Sequence, residues 1–209
     1  MYHKFLATII VIFSFSFTSQ AVEFTEGDNY IEIKGEVTKN KEITEFFSFF
    51  CPHCFKQEPF MKQIVSFLPK DASFKKNHVD AMPGQNIEIE RALTKALVVA
   101  DILKIQEVMI PAIFKYVHIS RAKFSSIKDI RNLFLINGVD GKKFDKTFSS
   151  FSVNAQFNKM QKKTELLRSQ GIGSVPTLII NGKYKPVTDN IKSMEEYKNL
   201  ILFLLNKTA

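Results

Sequence analysis

Residues 46–54 read FFSFFCPHC, an aromatic run that ends in the two cysteines of the chain, Cys51 and Cys54. This composition predicts a buried strand, and the apolar residues after it recur at helical spacing. Cys51 is therefore expected where a strand gives way to a helix. The unpaired N–H groups and the positive end of the helix dipole at that point stabilise a thiolate, the nucleophilic form of cysteine. The stretch indicates thiol chemistry.

The spacing of the cysteines is typical of a redox-active pair. One helical turn returns Cys54 to the side of Cys51, where it can close a disulfide or resolve a mixed one. Two other interpretations stay open. A zinc site needs about four ligands, and the available histidines, His53, His78 and His118, have no paired ligand spacing. A purely structural disulfide would add little stability, because it would close a very short loop.

The first 21 residues have the pattern of a signal peptide. A short basic start precedes an apolar run from Phe5 to Phe17, and Ser19-Gln20-Ala21 is a small-x-small cleavage pattern. The run is too short to cross a bilayer, which takes about 20 residues. An uncleaved N-terminal anchor is the alternative. We expect cleavage after Ala21 and an exported, soluble protein with room for one sizeable core.

The chain is basic, with 29 lysine and arginine residues against 21 acidic ones. Such a balance can indicate a nucleic acid or a membrane surface as partner. The lysines are scattered, and no basic stripe interleaved with aromatics appears, which favours a solvated basic surface. Export also argues against a nucleic-acid partner.

Strand patterns occur up to Asp80 and return at Thr177, and a block of helical patterns lies between them. The predicted strands are Tyr30–Val37 at an edge, Ile43–Phe50 at the centre, Phe74–Asp80, and Thr177–Ile180 with an Asn181-Gly182 hairpin turn. The predicted helices are Pro52–Leu68, Ile89–Ala100, Glu107–Ile119, Ser126–Asn137, Asp140–Ser149, Val153–Gln170 and Ser193–Leu205. This order predicts one α/β domain interrupted by a helical insertion.

His53 lies between the two cysteines and is a further candidate for the site. As a cation or N–H donor it would favour the Cys51 thiolate over the disulfide, which would make the oxidised form a stronger oxidant. A solvent-exposed residue without an electrostatic role is the alternative. Pro52 suits the first helical position, where its missing N–H costs nothing.

Two more candidates concern the predicted sheet. Val175-Pro176 precedes the strand Thr177–Ile180, and X-Pro bonds are the ones with an appreciable cis population. A plain turn proline is the alternative. Glu45 is the sole charge in its apolar run, so it could lie beneath the cysteines with a raised pKa and transfer protons. A charge at the exposed start of the strand is the other interpretation.

Three segments resemble the DsbA family of bacterial periplasmic thiol-disulfide oxidoreductases: the FFSFFCPHC run, Gly173-Ser174-Val175-Pro176-Thr177 and Asn181-Gly182-Lys183-Tyr184. The likeness covers essentially the whole chain after the leader. The Cys-Pro-His-Cys tetrapeptide distinguishes this family from thioredoxin, whose usual motif is Cys-Gly-Pro-Cys.

The resemblance implies a thioredoxin fold, a central mixed sheet flanked by helices, with an inserted all-helical subdomain. Residues 22–80 and 161–209 would form the thioredoxin-like domain and 81–160 the insertion. Cys51 is implied as the exposed nucleophile that forms the mixed disulfide, and Cys54 as the buried resolving thiol. Pro176 is implied to be cis, and Val175 to offer backbone hydrogen bonds to substrate.

The resemblance also implies a buried pair of charged residues. Glu45 matches the family's buried acid, and Lys76 stands where its basic partner is expected. Asn77 departs from the aromatic residue expected after that lysine.

The function implied is donation of the Cys51–Cys54 disulfide to reduced, unfolded exported proteins by a periplasmic monomer with no other cofactor and no metal. A quinone-linked membrane protein of the DsbB type would reoxidise it. A disulfide isomerase or reductase of the same fold is the first alternative, although family isomerases carry an additional dimerisation domain for which the segment before Ile43 leaves no room. A redox-silent periplasmic chaperone that holds unfolded chains is the second.

Overall fold

The centre of the structure is a mixed sheet. In this computed structural model, which describes residues 23–207, the strands are β1 Tyr30–Glu32, β2 Lys41–Phe47, β3 Ala72–His78, β4 Thr177–Ile180 and β5 Tyr184–Pro186. The five strands lie in the order β1-β5-β4-β2-β3. β2 is parallel to β3 and antiparallel to β4, and β1 pairs antiparallel with β5 at the edge. The predicted signal peptide lies outside the described residues.

Helices flank this sheet. Within residues 23–207 they are α1 Pro52–Phe67, α2 Ile87–Ile102, α3 Gln106–Phe114, α4 Ile127–Ile136, α5 Gly141–Phe148, α6 Phe151–Arg168 and α7 Met194–Asn206. A π-helical turn, Lys115–Ile119, continues α3. The predicted mixed sheet flanked by helices, with helices between its first and last strands, is confirmed.

Three predicted strands have other bounds in the structure. The edge strand is shorter, Tyr30–Glu32 instead of Tyr30–Val37. The central strand ends at Phe47 instead of Phe50, because the next three residues form a turn. In this turn the Phe50 N–H donates to Ser48 Oγ at 3.2 Å, and the Cys51 N–H donates to the Ser48 carbonyl at 3.1 Å. The third strand runs two residues earlier than predicted, at Ala72–His78, in parallel register with all of β2.

Apolar packing holds the cysteine-bearing turn against the helices between β3 and β4. Phe47 and Phe49 are fully buried and meet edge to face with ring centroids 5.0 Å apart. Phe49 also packs on Phe114 of α3, at 5.1 Å. Rings of this kind bury large apolar areas, so the turn is held rigidly beneath Cys51. No helix in residues 23–207 is long and apolar enough to cross a membrane.

Candidate functional site

Cys51 caps the N-terminus of α1. Its backbone is extended, Pro52 occupies the first helical turn, and its Sγ accepts the Cys54 backbone N–H at 3.2 Å. A cap side chain normally satisfies one of the free N–H groups of a helix start, and an anion there gains from the helix dipole. The cap at this site is the Cys51 sulfur atom, so the start of α1 presents a backbone N–H to the side chain of Cys51.

The two cysteines are free thiols in this structure and differ in their surroundings. Cys54 is completely buried, and burial strongly raises the pKa of its thiol, with the Cys51 side chain adding to the rise. Cys54 therefore stays protonated at neutral pH. Cys51 is 5% exposed, so the expectation of an exposed nucleophile is wrong for this dithiol form. The reason is that the loop at Val175 lies against its sulfur.

Val175 and Pro176 form the opposite side of the site. The peptide bond between them is cis, and the Cys51 thiol donates to the Val175 carbonyl at 3.5 Å. Cys51 and Val175 are 124 positions apart in the chain and meet because β4 pairs with β2. The sheet therefore places a backbone carbonyl beside the reactive sulfur.

His53 is exposed on the first turn of α1. Among the hydrogen bonds and ion pairs of residues 23–207, none involves its imidazole. The ring is thus free to face solvent or a bound substrate, and the structure brings it to no fixed partner.

A buried ionic group lies next to the cysteine pair. Lys76 Nζ is 2.5 Å from Glu45 Oε2 and 2.5 Å from Glu58 Oε1. The ammonium also lies 4.7 Å from the centre of the Phe47 ring, a cation–π contact. Glu45 and Lys76 meet because β2 and β3 pair in the register Glu45↔Lys76. The sequence had indicated both residues.

Glu58 is the member of this group that the sequence analysis missed. It lies on α1 four residues after Cys54, so both side chains share one helix face. An acid at that spacing from a buried cysteine is the signal that could have found it. Its side chain is 15% exposed, whereas that of Glu45 is not exposed at all.

Burial and charge act in opposite directions on these groups. Burial raises the pKa of Glu45 and outweighs the lowering by Lys76. Burial alone would lower the pKa of Lys76, but the two carboxylates together raise it. Glu45 Oε1 has no hydrogen-bond partner among the described residues. The carboxyl group of Glu45 therefore binds a proton at a higher pH than an ordinary glutamate does.

A cavity of about 210 Å³ reaches this ionic group from the surface. Its lining includes Glu58 and Lys76, together with residues of α1, β3 and α3. Water in the cavity can contact the partly exposed members of the group. Glu58 and Lys76 thus lie between the buried Glu45 and this cavity.

Asn77 and His78 follow Lys76 on β3 and are both buried. Asn77 Nδ2 donates to Thr164 Oγ1 at 3.0 Å, so a polar contact to α6 replaces the expected aromatic packing. His78 Nδ1 lies 2.8 Å from Thr94 Oγ1, and its Nε2 has no partner among the described residues. Burial lowers the pKa of His78 to about 3, so this ring is neutral at physiological pH.

His118 connects the π-helical turn to the cysteine-bearing turn. Its Nε2 lies 2.9 Å from the Phe49 carbonyl, a distance at which the ring N–H donates to that oxygen. The ring also stacks on Phe55, with centroids 5.1 Å apart and planes 7° from parallel. From the sequence, this histidine was a candidate for a zinc site alone. In residues 23–207 no group of three or more His, Cys, Asp or Glu side chains is placed to hold a metal ion.

A groove of about 580 Å³ adjoins Pro176. Its wall is formed by α1, β4, β5 and the start of α7, with apolar side chains that include Phe60, Met61 and Tyr197. The groove is large enough for several side chains of an extended peptide. Pro176, which follows the residue whose carbonyl contacts Cys51, is part of its lining.

Comparisons with known proteins agree with this geometry. The model of the DSBA-like thioredoxin domain family matches residues 42–201. The thiol:disulfide interchange protein DsbA of Haemophilus influenzae is 32% identical over 198 residues, which cover 92% of this chain and 92% of that protein. The DsbA of Yersinia pestis is 30% identical over 216 residues, covering 99% and 100%.

Solved structures are similar over the same extent. The complex of Proteus mirabilis DsbA with a non-covalently bound peptide PWATCDS has a TM-score of 0.76 and 28% identity, covering 88% of this chain and all of that one. The DsbA of Klebsiella pneumoniae has a TM-score of 0.75 and 26% identity, covering 88% and 99%.

Proposed function

Because the chain belongs to the DsbA-like thioredoxin family and is a protein thiol-disulfide oxidoreductase, we propose that it donates the Cys51–Cys54 disulfide to reduced exported proteins. The observation that carries this proposal is the contrast between the two sulfurs. Cys51 Sγ accepts a helix N–H, which favours its thiolate, whereas burial keeps Cys54 protonated. A couple whose reduced form is stabilised in this way tends to give up its disulfide.

The first step opens the enzyme disulfide. A substrate thiolate attacks Cys51 Sγ, a bond forms between the substrate sulfur and Cys51, and the Cys51–Cys54 bond breaks. The electron pair of that bond leaves on Cys54. The Cys54 sulfur then takes up a proton, because burial disfavours its anion.

The second step releases the product. A second substrate thiolate attacks the substrate sulfur of the mixed disulfide, and the bond to Cys51 breaks. The substrate leaves with a new disulfide, and Cys51 leaves as a thiolate that the start of α1 stabilises. Two substrate thiols are oxidised and one enzyme disulfide is reduced, so electrons balance.

Glu45 and Lys76 are proposed to move the proton of Cys54. Glu45 is near enough to Cys54 for its charge to raise the pKa of that thiol, and its own pKa is raised by burial. It can therefore exchange a proton with Cys54, and Lys76 and Glu58 connect it toward the cavity. His53, exposed between the cysteines, is proposed to favour the Cys51 thiolate, and Pro52 to start the helix.

The substrate is proposed to bind across Val175-Pro176 and along the adjoining groove. The Proteus mirabilis relative binds a cysteine-containing peptide, which supports a peptide ligand here. In the dithiol form the Val175 carbonyl accepts from Cys51, so it becomes available to substrate N–H groups once that sulfur forms the mixed disulfide.

The domain organisation and cellular setting complete the proposal. Residues 22–80 and 161–209 are assigned to the thioredoxin-like domain and 81–160 to the helical insertion, with α6 starting in the insertion and ending at Arg168. The protein is proposed to act as a monomer in the periplasm without nucleic acid or metal. A quinone-linked membrane protein of the DsbB type is proposed to restore its disulfide.

Oxidation of a reduced model protein tests this function. Wild-type enzyme in the disulfide form should oxidise the model protein, and Cys51→Ala should abolish the reaction. A Cys51→Ala variant that still oxidised the model protein would disprove the function. The redox equilibrium of the Cys51/Cys54 pair with glutathione shows whether the enzyme oxidises or reduces its substrates. A couple as reducing as thioredoxin would contradict the oxidase function.

A further inference from the structure

The groove beside Pro176 has an unusual distribution of charge. Its wall mixes apolar side chains with uncharged polar ones and carries two charged side chains, Lys185 on β5 and Lys192 before α7, and no acidic residue of the described chain lines it. Lys185 is half-buried and Lys192 is exposed. Any segment that lies in the groove therefore meets apolar surface and positive charge together.

Both lysines lack an ionic partner within residues 23–207. By contrast, Lys183 on the same hairpin pairs with Glu32 at 3.0 Å, and Lys198 of α7 pairs with Glu195 at 3.7 Å. Lys185 and Lys192 form no such pair in the described structure. Two cations without an ionic partner would attract the carboxylate of an incoming segment.

The acidic residues nearest in sequence to Lys192 do not fill this role. Glu196 Oε2 accepts the Lys192 backbone N–H at 2.8 Å, which fixes that carboxylate at the start of α7. Glu195 pairs with Lys198, and Asp189 is exposed outside the groove lining. The two side-chain ammonium groups stay available to a ligand.

We propose that Lys185 and Lys192 are specificity-determining residues that select substrate segments carrying an acidic side chain close to the reactive cysteine. This depends on the oxidase function proposed above. The occupant is an extended stretch of reduced protein that places apolar side chains on Phe60 and Tyr197 and a carboxylate at the lysines. The groove extends to Pro176, and the carbonyl of the preceding residue, Val175, contacts Cys51. A substrate cysteine at that end of the groove would therefore lie within reach of Cys51 Sγ.

The test uses two peptides that differ in one side chain. Each has two cysteines and an apolar segment, and a glutamate near the first cysteine in one peptide is glutamine in the other. The peptides form a series with this position moved from three residues before to three residues after the cysteine. The second-order rate of peptide oxidation by the disulfide form of the enzyme is measured for each pair at low ionic strength.

The readout is the ratio of the two rates in wild-type and variant enzymes. A glutamate also changes the reactivity of the peptide's own thiol. That effect cancels because the wild-type and variant enzymes are compared on the same pair of peptides at each position. For at least one position, Lys185→Gln/Lys192→Gln should lower the glutamate-to-glutamine ratio by roughly two- to five-fold, the size expected of exposed ion pairs. The difference should shrink as salt is added.

The matched control is Lys142→Gln/Lys143→Gln on α5, which removes the same total charge from exposed positions outside the groove lining. Its ratio should equal that of wild type. A ratio that is unchanged in the groove variant, or lowered equally in the control, overturns the proposal. Circular dichroism and thermal unfolding check that both variants are folded.

The outcomes separate this proposal from the function on which it depends. If wild-type enzyme oxidises neither peptide, the oxidase function fails and the specificity fails with it. If it oxidises both and the groove variant keeps the wild-type ratio at every position, the oxidase function stands and the specificity is wrong. Lys185→Glu/Lys192→Glu adds a reversal, since it should prefer peptides with lysine in the tested position.

Discussion

Lys76 Nζ lies 2.5 Å from Glu45 Oε2, on the strand pair that leads into the cysteine-bearing turn. Breaking a buried ion pair by removing one partner leaves an uncompensated charge, which is costly. The pair is also the inner end of a chain that continues through Glu58 to a surface cavity. Glu45, whose charge also raises the pKa of Cys54, is the member of the pair that the proposed proton transfer uses.

Glu45→Gln should slow the resolution of mixed disulfides by about a hundred-fold, the lower end of the range of general acid–base effects. The amide keeps the size of the side chain but cannot accept the Cys54 proton. Stopped-flow measurement of the decay of a preformed Cys51 mixed disulfide gives the rate. The control is Glu42→Gln, which removes another acid of β2, one that pairs with Lys75 and Lys163 instead. Equal rates in Glu45→Gln and wild type would refute the proton-transfer role.

His53→Ala should make the Cys51/Cys54 couple less oxidising. Loss of the exposed cation or donor between the cysteines weakens stabilisation of the thiolate in the reduced form. Equilibration with glutathione buffers measures the change, and an equilibrium constant shifted several-fold toward the disulfide is expected. Lys56→Ala, which removes an exposed cation one turn further along α1, is the control and should change the equilibrium less.

The buried His78 should make the protein less stable in acid. Its pKa is about 3 in the folded state against an ordinary 6.5, so between these values the unfolded chain binds a proton that the native state does not. Stability contributed by the neutral ring is complete above about pH 6.5 and is lost as the pH falls toward 3, by a few kcal/mol. The free energy of unfolding of the reduced protein, measured by urea titration at several pH values, should show this slope.

His78→Gln should flatten that slope, because glutamine does not titrate in the same window. His53→Ala is the control, since it removes an exposed histidine and keeps the buried one, and its slope should stay steeper than that of His78→Gln. Identical slopes in His78→Gln and wild type would show that another group causes the acid sensitivity.

His118→Leu should destabilise the protein by about 1 kcal/mol or somewhat more, because the Phe49 carbonyl loses its donor while apolar contact with Phe55 is kept. His118→Gln retains an N–H donor and should recover part of the loss. Urea unfolding of the reduced forms measures both variants. If leucine and glutamine are equally destabilising, the hydrogen bond contributes nothing and the ring stacking explains the effect.

Local patterns in the sequence predicted much of the fold and the centre of the site. The change from an aromatic run to helical spacing predicted that Cys51 begins a helix, and the structure confirms this. The prediction succeeded because the spacing of apolar residues along a short stretch distinguishes a strand from a helix. The end of β2 was predicted three residues too late, since Ser48, Phe49 and Phe50 are as apolar or small as a buried strand but form a turn fixed by Ser48. Local hydrogen bonds to Ser48 overrode the apolar pattern there.

The sequence by itself determined that Cys51 begins the helix, that Glu45 lies on the strand before it, and that a Val-Pro pair precedes a later strand. Tertiary structure alone decided that Glu58 completes the Lys76 group, that His118 meets the Phe49 carbonyl, and that Lys185 and Lys192 share one groove. These residues lie on different elements or loops of the fold, and His118 and Phe49 are 69 positions apart in the chain. Their meeting depends on strand order, helix orientation and burial, which are set by the whole core and leave no local pattern to read.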